Sequence, residues 1–482
     1  MKVYGNRILC CGIILVLICT LMLLAVIIDS LSLNIVDEIK VLSIFALIVY
    51  LVLFLLNLIG YRSINFYIVF LGMTYLFYFG HHFLTLFNYD IESLMLFDPR
   101  ITDRARVEAT VFTLLGILTF SLGYFSVTPV YGRRELNFIR NDTIDSYIDR
   151  KSLRDVCIFM LIVCVLPTFM TIFENIYLTW TVGYGERMMN VQYRRSGILN
   201  ILGILSEFMS AIIIGLFLTK SKDDHFILPF IVLYLILYTL QGSRINTFTL
   251  IIVLVLIYLL CYKRIDSSLL MKLVIIAFIC VVVFSFISTS RVSEKDDDYL
   301  KNIASSYKKT GVVGKVIKEA GYTFAPIAAV VDHCPDDVNF IYGKSYLSGF
   351  VYLLPNGCTG NYYGSVKGTD DAFKNFINDY GSGVGSSFIA EGFYNFGYFA
   401  LILFLVYGLV FGFMECNVRK GIDTRNYSKL FLIFYAFSVI VFFIRSDTRT
   451  FLRNYVWFGL PIYLMAKLLY VIRLKHVHRN FN

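Results

Sequence analysis

Arg445, Arg449 and Arg453 recur at four-residue intervals beside an apolar run, and Arg187, Arg194, Arg195, Arg244 and Arg291 also stand close to the ends of such runs. On one continuous helix positions i, i+4 and i+8 share a face, so three guanidinium groups there repel unless an anion lies between them. The planar guanidinium fork matches phosphate oxygens. Arg244, Arg291, Arg445, Arg449, Arg453, Arg194 and Arg195 are therefore read as candidate ligands of a phosphate or diphosphate, with anionic lipid headgroups or the neighbouring Asp447 as the alternative partners. Glu391, Glu319 and Asp447 are expected near the outer membrane face, where a carboxylate beside cationic partners is ionised and can orient or deprotonate a hydroxyl.

Other polar features carry less chemistry. His81 and His82 end an apolar run without further histidine or cysteine ligands at zinc spacing, so hydrogen bonding is expected there rather than metal. Glu207 falls inside an apolar run and is read as a packing or conformational residue. GVVGK at 311–315 lacks the spacing of a phosphate loop, and Gly381, Gly383 and Gly385 follow no strand, which excludes a dinucleotide fingerprint. Asp296, Asp297 and Asp298 belong to a solvated loop. Cys334 and Cys358 lie in the largest hydrophilic segment, and their spacing leaves a disulfide open.

The elements that must position these groups are helices in a membrane. The chain has 482 residues, of which 58% are hydrophobic, 17% aromatic and 16% charged, with a mean hydropathy of +0.71. That leaves too little polar surface for a soluble globule. Apolar runs long enough to cross a hydrocarbon core of about 30 Å recur throughout. Twelve spans are expected, at 8–28, 41–59, 64–83, 109–127, 156–177, 198–218, 226–240, 246–262, 269–287, 396–413, 430–444 and 456–472. The fold class is an all-α polytopic membrane protein. Lysine and arginine concentrate in one set of connections, which places both termini in the cytoplasm and makes the net charge of +9 a membrane feature, not a nucleic-acid one.

Three segments follow: a membrane bundle at 1–288, a large external loop with amphipathic helices at 289–395, and membrane spans at 396–482. Within the loop, Val312, Val313, Val316, Ile317 and Ala320 share one helical face and Phe373, Phe376 and Ile377 another, and 346–354 is an apolar run too short to span. The stretch 381–412 runs from a Gly/Ser-rich loop through Glu391 into a span, and is expected to face the arginines across an external cavity.

The motifs EAGYTF from Glu319, IYGKSYLSGFVYLLP ending at Pro355, GSGVGSSFIAEGFYNFG from Gly381 and QGSR ending at Arg244, in a chain with one large loop before its last three spans, resemble the Wzy-type polymerases of bacterial surface polysaccharides. The resemblance implies a lipid-dependent glycosyltransferase of GT-C-like fold in the bacterial inner membrane, working without metal or cofactor on the periplasmic or external side. Its substrate is an undecaprenyl-diphosphate-linked oligosaccharide, the growing glycan being transferred to an incoming lipid-linked repeat unit, and a chain-length regulator is an expected partner beside membrane lipids. In that setting Tyr346, Tyr362, Tyr363 and Tyr394 are candidates to stack on sugar rings, with membrane-interface packing as their alternative role. Two other readings stay open: a lipid-linked oligosaccharide flippase or transporter, and an O-antigen ligase with closely related donor chemistry.

Overall fold

The computed structural model describes residues 2–31, 33–61, 65–89, 94–128, 143–181, 198–221, 224–242, 244–262, 311–354 and 386–481. Every regular element among them is helical. In chain order these are α1 (Lys2–Leu31), α2 (Ile35–Tyr61), α3 (Phe66–Leu86), α4 (Asp103–Val127), α5 (Ile144–Thr181), α6 (Ile198–Glu207), α7 (Met209–Leu218), α8 (Ile227–Leu240) and α9 (Arg244–Ile257). They are followed by α10 (Val312–Gly321), α11 (Ala325–His333), α12 (Lys344–Val351), α13 (Phe388–Phe396), α14 (Ala400–Thr424), α15 (Tyr427–Phe443), α16 (Thr448–Asn454) and α17 (Leu460–Phe481).

Among the described residues nine stretches are long and apolar enough to cross a membrane, and α8 and α15 are shorter apolar helices. The protein is a multi-pass membrane protein. The expected span 269–287 lies outside the described residues, as do Phe373, Phe376, Ile377, Asp296–Asp298, Gly381, Gly383, Gly385 and Cys358. The amphipathic run after Gly311 folds as α10, and the short apolar run before Pro355 folds within α12 and the turn that follows it.

The chain divides into two compact units, neither contiguous in sequence. The first comprises Met1–Glu135, Ile317–Asn417 and Phe443–Arg453. Here α1 packs on α4, α2 on α3, and α11 on both α4 and α13. Start signals are local: Asn65 accepts from the Ile68 amide to cap α3, and Thr102 accepts from the Ala105 amide to cap α4. Two glycines bring α4 and α14 very close together. A Cβ on Gly408 would fall 1.9 Å from the Phe120 carbonyl oxygen, and one on Gly123 would fall 2.2 Å from the Leu405 oxygen, so these helices meet backbone to backbone.

The second unit comprises Leu136–Val316, Val418–Phe442 and Asn454–Asn482. Its centre is α5, packed on α6, α7 and α17 and carrying Pro167 in its interior. Asp149 is buried and accepts from the Ser428 amide at 2.9 Å, the Ser428 hydroxyl at 2.6 Å and Lys467 Nζ at 3.0 Å. Thus α5, α15 and α17 share one carboxylate. Arg150 donates to the Thr219 and Lys220 carbonyls, satisfying groups left over at the C-terminus of α7. The expected span at 198–218 is met by the candidate membrane stretch Ile201–Leu218, in which α6 passes into α7 through a turn at Phe208, directly after Glu207.

Candidate functional site

In the first unit a hydrogen-bonded set of polar side chains surrounds Glu391. Ser387 caps α13 by accepting from the Ala390 amide at 3.0 Å, which sets Glu391 in the helix's first turn. The helix ends at Gly397, whose φ of +55° is a left-handed conformation that a side chain disfavours. That break separates α13 from α14, so the run expected as a simple loop-to-span transition is two helices joined by one 3-10 turn.

Glu391 is 2% exposed. Its Oε1 accepts from the Ser345 hydroxyl at 2.7 Å, and its Oε2 accepts from both the amide and the hydroxyl of Thr448 at 2.8 Å each. Asn395 lies one turn along α13 on the same face. Its Nδ2 donates to Ser345 Oγ at 2.7 Å and to the Glu391 carbonyl at 2.7 Å, while its Oδ1 accepts from the Gly343 amide at 2.9 Å. Backbone bonds from Ile341 to Tyr394 and from Tyr342 to Asn395 complete the attachment of the segment leading into α12 to the end of α13.

The arginine cluster differs from the sequence expectation. Arg445, Arg449 and Arg453 do not share one continuous helix, because the chain turns at 444–447 and α16 starts only at Thr448. The cause is Asp447, whose Oδ1 accepts from the Thr450 amide at 2.8 Å and so acts as an N-cap. Arg445 therefore precedes the helix, half-buried, and Arg453 is exposed. Arg449 stands over the Tyr352 ring, 4.7 Å from its centroid, with its guanidinium 3.8 Å from Asp447 Oδ2. Gly349 lets α12 approach this point closely, since a Cβ there would meet Arg449 Cα at 3.4 Å. The buried hydroxyl of Ser446 has no hydrogen-bond partner among the described residues.

Tyr346 stacks on Phe396 with ring centroids 6.0 Å apart, and its buried hydroxyl lies beside Tyr407. Burial first, and the Glu391 carboxylate second, push its phenol well above the usual range, so it remains an O–H donor. Tyr394 is 2% exposed and packed inside. Glu319, in α10, is half-buried beside Tyr322, and no described hydrogen bond joins it to Glu391. Arg244 opens α9 in the second unit. Arg187, Arg194, Arg195, Arg291, Tyr362 and Tyr363 lie outside the described residues.

His81 Nε2 is 2.8 Å from the Lys318 carbonyl and His82 Nε2 is 2.9 Å from Thr110 Oγ1, so both histidines make the hydrogen bonds expected of them. Arg106 is also buried, but it is engaged internally, by Asp103 and by the Asp98 carbonyl at 2.6 Å. Arg100 beside Asp98 holds that carboxyl below its ordinary range.

Sequence reasoning missed Ser345, Asn395, Ser446 and Thr448. The spacing of Asn395 from Glu391 and the capping pattern of Ser446, Asp447 and Thr448 were the available signals. The arrangement as a whole sets a guanidinium and a carboxylate at the start of one short helix, and anchors that helix through Thr448.

Comparison with curated proteins and with solved structures gives no match. A family profile described as O-antigen polysaccharide polymerase Wzy matches residues 13–475. With that match spanning nearly the whole sequence, the chain belongs to the O-antigen polysaccharide polymerase Wzy family.

Proposed function

We propose that this protein polymerises lipid-linked oligosaccharide repeat units at the outer leaflet, moving the growing glycan from undecaprenyl diphosphate to the incoming unit. Family membership supports an O-antigen polymerase role. The observation that carries the finer reading is the placement of Asp447 and Arg449 two residues apart at the start of α16, with Arg449 over Tyr352.

In the transfer, a hydroxyl oxygen of the acceptor sugar attacks the anomeric carbon of the donor glycan. The bond from that carbon to the diphosphate oxygen breaks, and its electron pair leaves with undecaprenyl diphosphate. Arg449 neutralises the charge that develops on the leaving group. Asp447 takes the acceptor's proton through Oδ2, the oxygen not used in capping. Ser446 offers its buried hydroxyl to a sugar hydroxyl nearby. Arg445 supplies further positive charge to the diphosphate. No step calls for a metal.

Surface glycan from a deletion strain complemented with Arg449→Ala tests this. Caps of a single repeat unit are expected, at normal protein abundance, with Arg449→Lys restoring polymer only in part because a point charge lacks the bidentate fork. Long polymer from Arg449→Ala refutes the proposed site. Accumulation of full-length polymer on the lipid instead of single-repeat caps indicates a ligase, and repeat units held in the inner leaflet indicate a flippase.

A further inference from the structure

The geometry points to Glu391 as a positioning residue that sets Asp447 and Arg449 through Thr448, and not as the base that removes the acceptor's proton. This inference rests on the reading of Asp447 and Arg449 as the working groups. A base needs a lone pair turned toward the incoming hydroxyl. Glu391 is buried and both of its oxygens are engaged: Oε1 by Ser345, and Oε2 by two donors of Thr448. Asp447 keeps 13% of its side chain exposed and, among the described residues, one oxygen outside any hydrogen bond. One of its oxygens caps α16, and the other faces the Arg449 guanidinium at 3.8 Å, beyond hydrogen-bond length.

Thr448 lies between Asp447 and Arg449 in sequence, and it is the residue that Glu391 grips by backbone and side chain together. Holding that one residue fixes the direction in which the first turn of α16 presents its neighbours. The far side of the carboxylate is fixed in turn. Ser345 donates to it, Asn395 donates to Ser345, and Gly343 donates to Asn395, so the chain of bonds runs from the start of α12 to the start of α16. The consequence is a division of labour between two carboxylates that the sequence could not separate. Glu391 orients, and Asp447 accepts the proton.

A glutamine can hold Thr448 with its carbonyl oxygen and turn its amide toward Ser345 Oγ, which can accept as well as donate. It cannot act as a base. Purified full-length variants are assayed for kcat and KM with a lipid-linked repeat unit in detergent. Because a neutral carbonyl accepts the two Thr448 bonds less strongly than a carboxylate does, Glu391→Gln is expected to keep kcat within about tenfold of the parent while KM rises. Asp447→Asn is expected to lower kcat by about 10²–10⁴-fold, the usual contribution of general acid-base catalysis. Thr448→Ser, which retains both donors, is expected to match the parent, and Thr448→Val to raise KM. The inference is overturned if Glu391→Gln loses kcat as severely as Asp447→Asn with KM unchanged, or if Thr448→Val and Glu391→Gln leave both constants at parental values. If instead Asp447→Asn and Arg449→Ala both retain parental kcat and KM, the reading of the site itself fails, whatever Glu391→Gln does.

Discussion

Replacing Gly408 with alanine perturbs a very close helix contact in the first unit without touching the candidate site. The added Cβ would stand 1.9 Å from Phe120 O, 2.8 Å from Phe120 C and 3.0 Å from Tyr124 N, where ordinary contact begins at 3.4 Å. Relief requires α4 and α14 to separate locally by about 1.5 Å, and a gap of about 0.5–1 Å already forfeits a quarter to a half of a dispersion well. The obstacle is backbone, so no side-chain rotation relieves it. Overpacking costs about 1–3 kcal/mol, and the size of this clash argues for the upper end. Alanine's better helix propensity returns about 1 kcal/mol. The net loss is then about 2 kcal/mol, or roughly 4–8 °C in apparent melting temperature. Thermal loss of monodispersity in detergent measures it, with Gly72→Ala as the control, because nothing lies within 4 Å of a Cβ there. Gly408→Ala melting with Gly72→Ala would refute the backbone-to-backbone contact. Gly123→Ala, which meets Leu405 O at 2.2 Å, should destabilise less when added to Gly408→Ala than alone, because the helices have already moved apart.

Asp149→Leu removes the acceptor shared by Ser428 and Lys467 and should cost about 2 kcal/mol by the same melt, a figure reduced from the fully buried case because Lys467 is partly solvated. Asp149→Leu with Lys467→Met should recover part of that loss, and a double variant no more stable than the single refutes the pairing. Tyr352→Leu removes the ring under Arg449 and should raise KM for the lipid-linked donor about two- to fivefold, the equivalent of roughly 0.5–1 kcal/mol, with kcat little changed. An unaltered KM would show that the stacking does not orient the guanidinium.

The spans were legible because hydrophobic length is a local property: the runs through α1 to α5, α14 and α17 match candidate membrane stretches. Local departures were harder. The halt before Thr448 comes from one side chain, Asp447, turning back onto the Thr450 amide, and four-residue arginine spacing conceals it. The separation of α13 from α14 depends on a positive φ at Gly397 that the apolar run around it masks. The interruption at Phe208 has no comparable signal, as no proline or glycine marks it. Within the site, Glu391 and Arg449 stood out as charges beside apolar sequence, but the bond between Glu391 and Thr448 joins residues far apart in the chain. Pairings of that kind follow from the packing of α13 against its neighbours, which one sequence does not encode in readable form.

All the donors that reach the Glu391 carboxylate are uncharged: a serine hydroxyl, a threonine hydroxyl and a backbone amide. Dissolved ions screen charges separated by more than about 8 Å at physiological ionic strength, and they weaken short contacts to a buried group far less. On the proposed function, the framework that aims Asp447 and Arg449 is thus insulated from dissolved salt, while the attraction of Arg449 for a diphosphate is not. On that reading the site keeps its geometry as ionic strength changes, and only the strength of its grip varies.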